Sequence, residues 1–190
     1  MIEINPNFLI NKRLVIEPRS TALNLGCGAY VSDIAKQLKE IEFKTLYSVD
    51  IWPEYLKKIG AVKALEHIPV AADVRDFVTM LTQPVDYAFL FDILEHLPKE
   101  QGINLLSELK TKAKTILAFT PIEPEGFHRK NVEPENIFQD HVSYWGEEDF
   151  SQLGFKNEVI KNCHDEHYKD GSAQGAWVRF GAVWSLWSQS

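Results

Sequence analysis

The chain has 190 residues, 20 Lys+Arg against 27 Asp+Glu for a formal net charge of -7, and 45% hydrophobic residues. That length supports one well-buried domain, and the composition excludes a fibre or a disordered tail. The acidic balance argues against a protein that grips phosphate backbones, and two cysteines, Cys27 and Cys163, cannot make a disulfide framework or a four-cysteine zinc site.

Residues 1–20 read as an irregular lead-in broken by Pro6 and Pro18. TALNLG (21–26) is a short apolar run ending in glycine, as a buried parallel strand requires. Val31, Ile34, Ala35 and Leu38 then fall on one helical face. KTLYSVD (44–50) reads as a second strand, and Pro53 suits the first turn of a helix stopped by Gly60. A third strand is expected within 61–74, with a short helix around Phe77 to Leu81. VDYAFLFD (85–92) is the most clearly buried strand. Pro98 opens a helix with Ile103, Leu106 and Leu109 on one stripe, and TILAFT (115–120) is a fifth strand. The stretch from Pro121 to His141 is polar and has no period, which marks it as a candidate substrate lid. EEDFSQLGF (147–155) reads as a short helix, and 155–161 and 176–187 as two strands. In the last strand Val178, Phe180, Ala182, Trp184 and Leu186 alternate, as in an antiparallel strand. No repeat, low-complexity tract or linker divides the chain, so 1–190 is expected to be a single domain.

Strands alternating with helices imply an α/β fold with a doubly wound, mostly parallel sheet of seven strands. Such sheets bind ligands at the carboxyl ends of their strands, near the point where strand order reverses. The residues just after each strand are therefore the ones to inspect. After the first strand come Gly26, Cys27 and Gly28, which let the backbone approach a ligand closely. A dinucleotide fingerprint would want glycine where Val31 stands, which counts against a nicotinamide or flavin cofactor. The second strand ends in Asp50, placed either to accept hydrogen bonds from a ribose or to cap the helix at Pro53. The third is followed by Asp73-Val74 and the fourth by Asp92. A glycine turn and three acids at four successive strand ends make a constellation rather than four solvated loops.

LNLGCG (23–28), VD (49–50), ADV (72–74) and FDILEHLP (91–98) resemble the class I S-adenosylmethionine-dependent methyltransferases, and HVSYWGEEDFSQLGF (141–155) is similar to a stretch of their small-molecule members. The resemblance implies a Rossmann-like methyltransferase fold whose last strand is antiparallel, and S-adenosylmethionine as cofactor. It would put Asn24, Gly26, Cys27 and Gly28 beside the methionine portion, and Asp50 on the ribose with Ile51 and Trp52 beside the adenine. Asp73 would meet the adenine amino group, Val74 the ring, and Asp92 and Ile93 the amine and sulfonium. Two positions depart from the pattern: Asn24 stands where an acid is usual, and Tyr30, where a glycine is usual, would add bulk beside the cofactor carboxylate.

No N/D-P-P-aromatic segment follows the fourth strand and neither cysteine follows a proline, so adenine-amine and cytosine-carbon methylation are not indicated. A small-molecule acceptor, O- or N-methylated, is the expectation, with nucleic acid disfavoured. A base is needed for a hydroxyl or protonated amine, and His96 and His141 are the candidates. Each also has a structural reading, His96 as a cap before Pro98 and His141 as a hydrogen-bonding partner near Ser143 and Trp145. His164-Asp165-Glu166-His167 reads as a solvated loop, so no metal site is expected. Trp177, Trp184 and Trp187 read as core and sheet-edge packing. The opening MIEINPNFLI carries an acid where a signal peptide would be basic, and no apolar run reaches membrane-spanning length, so a cytoplasmic protein is expected. Two other classes stay open: a catalytically silent domain of this fold, and a nucleotide-binding oxidoreductase.

Overall fold

Strands that are apolar on both faces need cover on both sides, and the sequence distributes its helices to supply it. The computed structural model describes residues 13–30, 32–124, 135–167 and 177–189. The strands are β1 (Thr21–Leu25), β2 (Thr45–Asp50), β3 (Glu66–Ala71), β4 (Val85–Phe91), β5 (Ala113–Ile122), β6 (Lys156–His167) and β7 (Trp177–Ser188). They form one sheet in the order β3-β2-β1-β4-β5-β7-β6. β1 to β5 are mutually parallel, and β7 runs antiparallel to β5 and to β6. The helices are α1 (Asp33–Lys39), α2 (Pro53–Leu56), α3 (Val74–Met80), α4 (Lys99–Lys112) and α5 (Glu147–Gln152). The expected α/β class, seven strands and antiparallel last strand are all present. No described helix is long and apolar enough to cross a membrane.

The period of two along each strand divides the core into two layers. On β4, Ala88 and Leu90 pack with Leu23, Leu106, Leu109 and Phe150, while Tyr87, Phe89 and Phe91 pack with Leu38, Phe43, Leu46 and Trp184 on the other face. β1 lies between β2 and β4, so the strand order reverses there and a crevice opens at its carboxyl end.

Several boundaries differ from the sequence reading. The third strand is confined to Glu66–Ala71, and its Pro69 is tolerated because β3 is an edge. The helix after Pro53 has four residues and stops well before Gly60. β5 extends to Ile122 because β7 supplies partners along it, from Thr115 opposite Ser188 to Ile122 opposite Gly181. The segment His164–His167, expected in a loop, continues β6 and pairs with Phe180–Trp177 after a register shift. Arg129 and the neighbouring part of the candidate lid, residues 125–134, lie outside the described residues, as do Val31 and the first twelve residues.

Candidate functional site

β1 ends at Leu25, and the chain turns through Gly26 and Gly28 at φ of 66° and 52°, a region where side chains are costly. The two glycines serve different ends. A Cβ on Gly26 would lie 2.5 Å from Ile93 Cδ1, so this glycine lets the end of β4 close on the end of β1. A Cβ on Gly28 would meet nothing within 4 Å. Gly28 lines a cavity of about 540 Å³, and there the backbone is bared to a ligand.

Asp50 is 6% exposed, and its carboxylate accepts from the Gly28 N–H (2.7 Å) and from the Trp52 N–H (2.8 Å). Burial pushes its carboxyl above the ordinary value, and these two N–H groups pull it back. The helix-cap reading does not hold: Trp52 occupies the N-cap of α2 and its side chain makes no capping bond, while Asp50 lies two residues before it and, at that helix, reaches only the Trp52 N–H. A carboxylate offers about four lone-pair sites, so the two bonds leave acceptor capacity for a ligand. Asp73 also lines the cavity, but it is engaged. It caps α3 through the Arg75 N–H (2.9 Å) and is clasped by the Arg75 guanidinium, which holds its carboxyl below the ordinary range. Asp92, immediately after β4, has φ of 52°, and its N–H donates to the Phe119 carbonyl (2.9 Å). Aspartate is one of the few side chains that tolerates this conformation.

Of the residues predicted for the cofactor, the cavity wall contains Asn24, Gly26, Cys27, Gly28, Asp50, Ile51, Asp73, Val74, Asp92 and Ile93. Trp52 is not in it. Burial pushes the Cys27 thiol far up, which disfavours the thiolate. Tyr30 is also outside the wall and corrects the expectation of bulk beside the ligand. Its side chain is 2% exposed, and its hydroxyl lies 2.6 Å from Ser48 Oγ, which is 2.8 Å from His67 Nε2. Burial pushes the phenol up to about 12.

His96 and His141 line the same cavity and come together there, their rings edge to face with centroids 4.7 Å apart. Residues 142–145 are fastened to the 3₁₀ turn Leu94–His96. The Val142 and Ser143 N–H groups donate to the Glu95 carbonyl (2.8 and 3.1 Å), and Trp145 Nε1 donates to the Leu94 carbonyl (3.1 Å). The structural partner expected for His141 near Ser143 is instead Glu123, whose Oε1 lies 2.7 Å from His141 Nδ1 with both side chains almost wholly buried. Glu95 is 2% exposed and accepts from Thr120 Oγ1 (2.7 Å). Neither glutamate was singled out from the sequence. Glu95 stood visible inside FDILEHLP, whereas Glu123 carried no signal, because the length of β5 alone brings it beside His141.

Neither a protein-family model nor a curated protein matches the chain. Solved structures do. N-methyltransferase NodS from Bradyrhizobium japonicum WM9 superposes with a TM-score of 0.61 at 13% identity, over 95% of this chain and 92% of that one. TehB from Haemophilus influenzae has the same score and identity, over 100% of this chain and 64% of its own, so the chain spans less than two thirds of it. The small RNA methyltransferase HEN1 gives 0.59 at 15% identity, over 97% of this chain but 28% of the other. The likeness is one of fold.

Proposed function

We propose that this chain is a class I S-adenosylmethionine-dependent methyltransferase that methylates an oxygen or nitrogen of a small molecule. One observation carries the reading. A single cavity at the strand-order reversal joins the glycine loop, Asp50, Asp73-Val74 and Asp92-Ile93, and continues to a histidine–carboxylate cluster. Its volume of about 540 Å³ is in the range of small-molecule sites, and the open space over Gly28 fits a close-lying ligand. Cofactor would be held by the Gly26–Gly28 backbone, by Asp50 through the ribose hydroxyls, and by Val74 and Ile93 through apolar contact. When bound, S-adenosylmethionine supplies a methyl group already activated by its sulfonium. The protein's task is then to align an acceptor and exclude water.

The acceptor half of the cavity is formed by Glu95, His96, Pro121, Phe138 and His141. Phe138 gives it an apolar wall, and the histidines and carboxylate give it groups that meet the acceptor's nucleophilic atom. The net charge of -7 supports a small acceptor over a polyanion, although HEN1 is named as an RNA methyltransferase and shares the fold. Asn24 supports the second reading, a silent cofactor-binding domain, because it puts a neutral amide in the wall where an acid is usual.

Calorimetry with S-adenosylmethionine, its demethylated product and NAD tests the first step. The expected result is binding of the first two and none of NAD, with Asp50→Ala weakening binding roughly ten- to hundredfold, the worth of hydrogen bonds to a charged group. Absence of binding would overturn the proposal. His141→Ala should leave cofactor affinity within a few-fold while removing methyl transfer across an acceptor panel; a wild type that binds but transfers to no acceptor favours the silent reading.

A further inference from the structure

The acceptor-side cluster has a property beyond the reading above, which it deepens. We propose that Glu95, His96 and His141 form a binding site for one first-row divalent transition-metal ion. Each residue offers one ligand atom, and the three atoms lie within 4.8 Å of one another. Ligand bonds near 2.1 Å require atoms roughly 3–3.5 Å apart, a closure that side-chain rotation covers.

The second layer around the cluster carries the argument. An imidazole that binds a metal through one nitrogen usually donates its other N–H to a carboxylate or a carbonyl, which fixes the tautomer and the ring orientation. Both histidines have that arrangement. His96 Nδ1 lies 3.1 Å from the Asp140 carbonyl, which can only accept, so Nδ1 carries the hydrogen and Nε2 is the lone-pair nitrogen of the neutral ring. His141 Nδ1 lies 2.7 Å from Glu123 Oε1, and a carboxylate likewise accepts. Its Nε2 is fixed by the same reasoning.

Glu123 adds a charge argument. It is 7% exposed, its His141 contact is its one ion pair among the described residues, and its Oε2 is buried with no donor among them. A buried carboxylate with so little compensation is expensive unless the imidazole it supports passes its influence to a cation. The backbone segments that carry them are tied together. Glu95 and His96 are adjacent in one 3₁₀ turn, and the strap of bonds from Val142 and Ser143 to the Glu95 carbonyl brings His141 to them from 45 residues away. Two imidazoles and one carboxylate with remaining positions open match first-row transition ions, whereas Mg²⁺ and Ca²⁺ prefer all-oxygen sets. An ion there would face the acceptor half of the cavity and lower the pKa of an acceptor hydroxyl bound to it. That role rests on the methyltransferase reading; the site itself does not.

The test uses the full chain without a histidine tag, stripped with EDTA and titrated with Co²⁺. Expected are one equivalent bound with visible ligand-field absorption, stoichiometric displacement by Zn²⁺ and no displacement by Mg²⁺. His96→Ala, at a half-buried position where the fold is safe, should abolish the band, and Glu123→Gln should weaken binding about 10- to 100-fold as loss of a supporting partner does. Replacing His164 and His167 together should leave the band unchanged. No band, or a band that survives His96→Ala and Glu95→Gln, overturns the site. Calorimetry with the demethylated cofactor on the same samples separates the two readings: cofactor binding without Co²⁺ binding defeats only the metal site, and the converse defeats only the methyltransferase reading.

Discussion

At the scale of single residues, the two loop glycines make a sharp contrast. Gly26→Ala adds a side chain at φ of 66° and drives it to 2.5 Å from Ile93, so it should cost about 2–5 kcal/mol, the sum of left-handed strain and overpacking. Gly28→Ala has only the backbone cost of about 1–2 kcal/mol, because its Cβ meets open space. Urea unfolding of both variants checks the order; equal losses would mean that the contact with Ile93 does not limit position 26. Asp50 makes a prediction about pH. Burial raises its carboxyl in the folded protein, so ionised Asp50 costs stability at neutral pH, a cost relieved as pH falls through the raised value. Ligand binding has the opposite slope, since protonation removes the charged acceptor. Affinity for the demethylated cofactor should therefore fall on acidification from a higher pH than an ordinary aspartate gives, and Asp50→Asn should remove that slope. A wild-type affinity that stays flat through that range would place the ribose contact elsewhere. Sequence alone marked Asp50 as a strand-end acid, but it could not choose between a ribose acceptor and a helix cap, because both roles need the same residue at the same position.

Among the elements, the contact of α4 with the 142–145 strap decides where His141 sits. Gly102 faces Trp145, and a Cβ there would lie 2.5 Å from its ring carbon Cζ2. Helix propensity alone would make Gly102→Ala stabilising by roughly 0.5–1 kcal/mol. The clash reverses the sign, and the variant should instead lose about 1–3 kcal/mol. Because Trp145 also bonds to Ser143 Oγ (2.9 Å) and to Leu94, moving it displaces His141 from Glu95 and His96. Gly102→Ala should therefore weaken Co²⁺ binding clearly more than it weakens binding of the demethylated cofactor, whose main proposed contacts, Gly26, Gly28 and Asp50, lie after β1 and at the end of β2. Equal weakening of both would show a general loss of structure. Lys99, whose Nζ lies 3.9 Å from the Trp145 ring centroid, adds a second anchor on the same helix. The helix itself was readable from the Pro98 start and the Ile103, Leu106, Leu109 stripe. Its glycine was not readable as a contact, since a glycine inside a helical pattern gives no sign of the ring that needs it.

For the molecule as a whole, the sequence determined the layers and the edge of the sheet at which the candidate site lies. Apolar runs at 21–26, 44–50 and 85–92 dictate buried parallel strands, and the rule that ligands gather at their carboxyl ends picks out Gly26, Gly28, Asp50, Asp73 and Asp92 without any coordinates. These signals are local: each is written in residues adjacent along the chain, so one sequence suffices to read them. Non-local placement belongs to the tertiary structure. The side on which Tyr30 packs, the engagement of Asp73 by Arg75, the extension of β5 by its pairing with β7, and the meeting of Glu95, His96, Glu123 and His141 all depend on register between segments tens of residues apart. A shift of one residue along β5 would turn Glu123 to the opposite face and undo the buried His141 pair, and nothing in the alternation of that strand specifies which register wins. Packing of β7 against β5, and of Trp145 against Gly102, makes that choice.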